Sequence, residues 1–328
     1  MANFTPQEQL MLELINRARM DPAGEAARYG IALNEGPPGI TLTATPKQVL
    51  AGNDKLGLAA DKHSDWMITN DIFSQTETPG SPHFYATGSF DRMDKALYTG
   101  AYAQGENISY IFSAAALNTT QAMVAMERKL FVDSGYAFRG HRVNILDANY
   151  DEVGIGQFNG TWTQGGKNYH GSAVTQDFGG SPLRMFITGV VYNDTVTNDN
   201  FFTVGEQTVG RLVDGSGASD TTGAGGGYEL EYSTAGSKSV TFHLATGNVI
   251  VRLALGATNI KVDIVNGHEL WTNASLSAVS TTATELHALG ISGMTLTGSG
   301  ASEKIYGNNG ANILKGLPPK SWVTAEPW

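Results

Sequence analysis

The sequence predicts an α+β fold whose helices end near the middle of the chain, followed by an all-β half. Three observations carry this. Apolar residues recur at helical spacing in three stretches before residue 133. From Met185 onward, short alternating apolar runs are separated by glycine turns, the pattern of a β-sandwich. Near the end, Leu296, Ile305 and Leu314 recur every nine residues, as in a β-roll-like repeat. The expected domains are 1–183, 184–288 and 289–328, with the first boundary at Gly179-Gly180-Ser181-Pro182.

Composition narrows the function. At 328 residues and 41% hydrophobic, the chain can build more than one core. A net charge of −10 repels a polyanion, so nucleic acid is not an expected partner. No apolar run is long enough for a transmembrane segment. With no cysteine, disulfides and thiolate zinc sites are excluded. Met-Ala-Asn-Phe-Thr-Pro lacks the basic and apolar regions of a Sec-type signal peptide.

Thr5-Pro6-Gln7-Glu8 reads as a helix start with a capping box, and Leu10, Met11, Leu14, Ile15 and Ala18 form its apolar stripe up to Asp21-Pro22. Residues 34–48 read as a loop. A second helix starts at Asn53, with Leu56, Ala59, Ala60, His63 and Met67 on one face, so by position His63 equally suits a core histidine. Residues 74–92 read as a long loop containing His83. A third helix spans about Thr119 to Val132, with Met123, Met126, Leu130 and Asp133 inward and Glu127 beside them. His141 is expected at a turn entering a core strand, whose Val153-Gly154-Ile155-Gly156 needs small residues. Strands at 153–158 and 171–178 are expected around a polar, Gly-rich hairpin at 159–170.

Four segments in this order resemble the CAP superfamily of cysteine-rich secretory, antigen 5 and pathogenesis-related proteins, in its bacterial SCP-like form. They are Glu13-Leu14-Ile15-Asn16-Arg17-Ala18-Arg19, His63-Ser64-Asp65-Trp66-Met67, Gly105-Glu106-Asn107-Ile108 and the stretch from Gly140-His141-Arg142 to Gly156. The resemblance covers roughly residues 5–180 and implies an α/β/α sandwich with a cleft on one side. It places His63 and His141 in that cleft with Glu106 between them. A second acid is implied there: Asp133 first, in a degenerate Trp-x-x-Glu pattern at Leu130-Phe131-Val132-Asp133, with Glu127 as the alternative. Two imidazoles and one or two carboxylates suit zinc or another divalent metal, and the same set suits metal-free acid–base work. Ser64 follows His63 directly and cannot form a dyad with it on one helix.

In the C-terminal half, the loop from Asn193-Asp194 through Asp199 to Glu206 is an expected weak calcium site or a plain polar turn. Two nonapeptides follow one another, Gly298 to Tyr306 and Gly307-Asn308-Asn309-Gly310-Ala311-Asn312-Ile313-Leu314-Lys315; the second resembles an RTX nonapeptide, and Glu303 in the first and Asn312 in the second replace the calcium-binding aspartate, so weak calcium binding at most is expected. RTX proteins leave the cell by type I secretion without an N-terminal signal, which implies an extracellular protein. The expected function is binding of a lipid, peptide or host or cell-surface ligand in a metal-competent cleft. The alternative is a metal-dependent extracellular peptidase or esterase.

Overall fold

The structure, a computed structural model, describes residues 3–181, 184–301 and 303–316. Pro182 of the expected boundary and residues 317–328 of the expected repeat region lie outside them. The first half runs α1 (Pro6–Met20), α2 (Pro22–Arg28), β1 (Ala51–Gly52), α3 (Asp54–Asn70), α4 (Ser89–Lys95), β2 (Ala103–Ser113), α5 (Thr119–Val132), α6 (Gly140–Ile145), β3 (Glu152–Gln164) and β4 (Lys167–Gly180).

Local chemistry sets these boundaries. The Thr5 hydroxyl accepts from the Glu8 amide while the Glu8 carboxylate accepts from the Thr5 amide, so two orphan donors are satisfied reciprocally. Asn53 caps α3 by accepting from the Lys55 and Leu56 amides, and Asn118 caps α5 by accepting from the Gln121 amide. The four strands form one sheet in the order β1-β3-β4-β2. On one face Met11 and Ile15 of α1 and Met123 and Met126 of α5 share a buried cluster with Val153, Ile155, Val174 and Phe178. On the other, Trp66, Met67 and Ile68 of α3 pack with Ile108, Trp162 and Ala173. The need for small residues in Val153–Gly156 is steric. A Cβ on Gly154 would stand 2.0 Å from the Leu56 backbone, and one on Gly156 would stand 2.2 Å from the Asp61 amide nitrogen.

Three expectations are adjusted. The hairpin at 159–170 forms, but its strands run well beyond 153–158 and 171–178: β3 and β4 stay in register through Trp162↔Tyr169 to a turn at Gly165-Gly166. Its outward side chains are polar because the arm is wet, and this mimics loop composition. Residues 74–92 include the start of α4, whose N-terminal amide at Gly88 is taken by Asp91. His141 sits on the short helix α6, before the turn into β3.

The second half contains β5 (Met185–Tyr192), β6 (Leu212–Gly215), β7 (Ala218–Thr221), β8 (Gly227–Tyr232), β9 (Gly236–Leu244), β10 (Gly247–Leu255), β11 (Ile260–Val265), β12 (Glu269–Thr272), β13 (Leu276–Ala278), β14 (Glu285–Ala288), β15 (Thr295–Thr297), β16 (Lys304–Tyr306) and β17 (Ile313–Lys315). They make a seven-stranded sheet, β17-β15-β13-β10-β9-β6-β7, and a six-stranded one, β16-β14-β12-β11-β5-β8. Residues of both sheets share one core, with Val240, Phe242 and Val251 meeting Leu230, Val262 and Ile264. From β12 on, successive strands alternate between the sheets and pair in parallel, Leu286↔Ile305 in one and Leu296↔Leu314 in the other. Leu296 is fully buried, Ile305 half-buried and Leu314 exposed, so burial falls along the coil.

The halves are sealed together. Leu10 and Leu14 of α1 pack on Val190, Tyr192, Phe202 and Val265. The buried Lys261 ammonium lies 2.7 Å from Glu13 and also pairs with Asp263. Asn259 donates to the carbonyls of Val49 and Asp151.

Candidate functional site

The inward stripe of α3 carries His63 into the protein, where it has no solvent exposure and stacks on Trp66 (5.8 Å, 7°). Its Nδ1 lies 3.1 Å from Glu77 Oε1, and its Nε2 has no partner among the described residues. Glu77 comes from the loop before α4. Its second oxygen accepts from the amides of Tyr85 (2.6 Å) and Ala86 (3.2 Å), which fixes that loop around it. Arg92 of α4 is fully buried. It donates to Glu106 of β2 and to the carbonyls of Gln75 and Thr87, and its Nε lies 3.8 Å from Glu77. One guanidinium thus stands beside two buried carboxylates, which is how a protein interior tolerates them.

A third carboxylate closes the cluster. Asp177 of β4 is paired with Glu106 across the sheet, is fully buried, and finds no hydrogen-bond donor among the described residues. Burial first, and then the neighbouring Glu106 charge, push its pKa well above the usual carboxylate range. A proton held on Asp177 can be shared with the neighbouring Glu106 carboxylate, which favours the protonated form of Asp177.

His141 belongs to the open side. Asp133 ends α5 in the left-handed conformation (φ 50°), and its carboxylate accepts from the His141 amide (2.9 Å) and from His141 Nδ1 (2.8 Å). The Tyr136 ring lies 4.2 Å from the imidazole. With Nδ1 engaged by Asp133, Nε2 is left without a protein partner among the described residues. Asn107 Nδ2 holds the His141 carbonyl (3.1 Å) and Asn144 Nδ2 holds the Glu106 carbonyl (3.2 Å), so Glu106-Asn107 ties β2 to α6. Phe138 and Arg139, just before α6, both take positive φ (59° and 57°), and Arg139 clamps the 34–40 loop through three carbonyls. That leaves Phe138 and Ile40 exposed beside the cleft.

Two concavities meet at His141. The larger, about 840 Å³, is walled by Phe73, Ile108, Leu130, Val132 and Tyr136, with Arg128 and Lys129 on its border. The smaller, about 290 Å³, lies between Gln75, Glu106, Tyr136, Phe138, His141 and Asn144. Glu106 and His141 therefore share one recess. His63 lines neither; it is linked to that recess through Glu77, Arg92 and Glu106. Asp133 is joined to His141 itself. Glu127 faces away from the cleft, where it accepts from the Tyr29 hydroxyl (2.5 Å), and burial pushes its pKa up to about 7.

The two histidines hold different carboxylates, His63 with Glu77 and His141 with Asp133. Among the described residues no three of His63, Glu106, Glu127, Asp133 and His141 bring ligand atoms within 4.8 Å of one another, and Arg92 holds the place beside the carboxylates. The remaining expected ligands are also engaged. Asp194 accepts from the amides of Asp199 and Asn200, and Glu206 from those of Thr195, Val196, Thr197 and Thr203. Asp199 accepts from the Phe201 amide. Asn312 donates to the carbonyls of Asn308 and Gly310, and Glu303 accepts from the Ser299 amide, so side chains staple the repeat turns. Ser64 donates to the Gly156 carbonyl (2.7 Å) and serves the α3–sheet contact.

Sequence reasoning missed Glu77, Arg92 and Asp177. Glu77 and Arg92 lie in a stretch with no periodic signal. Asp177 follows Thr175-Gln176 as a run of polar residues in the part of β4, residues 171–180, that is fully buried. That run was the one available clue.

Comparison with known proteins agrees over the first half. The model of the CAP, cysteine-rich secretory protein family matches residues 12–177, a span that holds every residue of the cleft. An extracellular protein containing an SCP domain from Bacillus anthracis str. Ames, known from a 1.5 Å crystal structure, is similar with 20% identity and a TM-score of 0.31; the likeness covers 53% of this chain and 40% of that one. No curated protein matches. Among the described residues no helix is long and apolar enough to cross a membrane. On the family match, the chain belongs to the CAP, or cysteine-rich secretory protein, family.

Proposed function

We propose that this chain is an extracellular bacterial CAP-domain protein that binds a ligand or partner segment in the cavity beside His141. The observation that carries the reading is the roughly 840 Å³ cavity, apolar along Phe73, Ile108, Leu130 and Tyr136 and bordered by Arg128, Lys129 and the Asp133–His141 pair. Such a wall favours an amphipathic occupant with an apolar body and an anionic or hydrogen-bonding end, such as a lipid or a peptide. Arg92 supplies the buried positive charge that a metal would otherwise bring to this cleft. Architecturally we read the chain as an α/β/α sandwich, a β-sandwich and a β-roll-like coil. The alternating parallel strands of the coil support the RTX-like reading, and with it export by a type I route.

The test is binding of an anionic, environment-sensitive fluorophore competed by fatty acids and peptides. Ala125→Trp, which fills the cavity from an exposed lining position, should lower affinity at least tenfold while melting stays near that of the parent. Unchanged affinity in Ala125→Trp would sink the reading. A second reading, hydrolysis of an ester or peptide, is favoured by the Asp133–His141 pair, which orients an imidazole as a general base. Turnover of an activated ester that His141→Ala abolishes would select it.

A further inference from the structure

We propose that Glu269, Glu285 and His287 form a zinc site on the outer face of the six-stranded sheet, remote from the CAP cleft in sequence and in fold. Along β12 and β14, Leu270 and Leu286 point into the core, so their neighbours point outward. The parallel register sets Glu269 beside Glu285 and Trp271 beside His287, which is followed by Tyr306. One ligand atom from each of Glu269, Glu285 and His287 lies within 4.8 Å of the others. In a tetrahedral zinc site with bonds of about 2.0–2.2 Å, neighbouring ligand atoms stand roughly 3.3–3.6 Å apart. His287 Nε2 and Glu285 Oε2 are already at 3.2 Å, while Glu269 accepts from Asn266 Nδ2 (2.9 Å) and Trp271 Nε1 (3.3 Å), neutral donors that leave its carboxylate lone pairs to offer a metal.

Further features separate this cluster from an ordinary patch of acids. The His287 ring is clamped between Trp271 (3.9 Å, 3°) and Tyr306 (4.5 Å, 18°), which fixes the plane in which its nitrogen points. His268 adds a second imidazole. Its Nδ1 donates to the Asn266 carbonyl (2.7 Å), and its Nε2 stands 3.8 Å from Glu269 Oε1. An imidazole anchored on a carbonyl through one nitrogen and open at the other is the usual posture of a zinc ligand. Nitrogen ligands beside carboxylates favour zinc over calcium.

Lys304 explains how the cluster is held without metal. Its ammonium lies 2.9 Å from Glu285 Oε1, but the side chain is 68% exposed and free to swing out. It is a tethered cation that zinc must displace, and this distinguishes a metal site from a simple salt bridge. In a salt bridge Lys304 is the reason for the cluster; in a metal site it is a competitor.

The experiment is zinc titration of the full chain against a chelating dye, repeated with cobalt(II) to read coordination by absorption. We expect one equivalent to be lost in His287→Gln and in Glu285→Gln, to remain in His63→Ala and His141→Ala, and to bind at least threefold more tightly in Lys304→Ala. Glu269→Gln, which leaves the Trp271–His287–Tyr306 stack in place, is the second variant if His287→Gln alters melting of the metal-free protein. Parent-like stoichiometry and affinity in both His287→Gln and Glu269→Gln would overturn the site. So would Lys304→Ala binding no more tightly than the parent.

Discussion

In the CAP half, His63, Glu77, Glu106 and Asp177 surround the guanidinium of Arg92 almost without solvent contact, whereas in the C-terminal half Glu269, Glu285 and His287 stand with Lys304 on an open sheet face. Both clusters combine a histidine, carboxylates and one basic residue. They differ in whether the cation can leave. Arg92 is locked by a carboxylate and backbone carbonyls in a space that water does not reach; Lys304 is held by one exposed contact. A buried charge without a partner costs several kcal/mol, so the sealed cluster must carry its own cation. The open cluster can exchange its lysine for an ion. The same residue types thus give a fixed electrostatic element in one place and an exchangeable site in the other.

The largest effect that would break this contrast is Arg92→Leu. Leaving Glu77 and Glu106 buried beside no cation should cost about 3–5 kcal/mol in chemical denaturation, with partial recovery as pH falls and carboxylates protonate. Loss of less than about 1 kcal/mol would mean that Arg92 is not the counter-charge. Glu127→Gln measures buried acidity without a cation contact. Its pKa is raised to about 7 from 4.5, so the folded state binds the proton more tightly than the unfolded chain. That contribution is complete below about pH 4.5 and is lost as pH rises through 7. Glu127→Gln should therefore stabilise the protein by about 2–3 kcal/mol at pH 8 and by little at pH 4.

Asp177 and Glu285 sharpen the contrast by sign. Asp177 is shifted upward, so Asp177→Asn should help at pH 8 and be neutral at pH 4, as read by melting. Glu285 is shifted downward, chiefly by Lys304, so its contribution is present above its unfolded pKa and lost as pH falls. Because its partner Lys304 is 68% exposed and solvent screens the pair, Glu285→Gln should move melting hardly at all at either pH, and it is the smallest effect of the set.

What the sequence disclosed follows the same division. Helices were readable because caps and apolar stripes are local: Thr5, Asn53 and the span Thr119–Val132 stand where expected. Gly154 and Gly156 announced a close helix–sheet approach. Glu106 and His141 were legible through motifs, and they share a recess. Glu77 and Arg92 were not, because long-range burial gives them their role and their loop has no period. Glu127 illustrates the limit: helical spacing put it near the inner face, and the packing of Tyr29 turned it from the cleft. The Glu269–Glu285 pairing depends on parallel register between strands sixteen residues apart, which no local pattern specifies.

The most direct measurement is a crystal structure of the full chain soaked in zinc, read by anomalous scattering. A built-in cation in the cleft predicts one peak bounded by Glu269, Glu285 and His287, with Lys304 displaced and Arg92 still on Glu106. A peak bridging His63 and His141, with Arg92 driven from the carboxylates and nothing at His287, would contradict it.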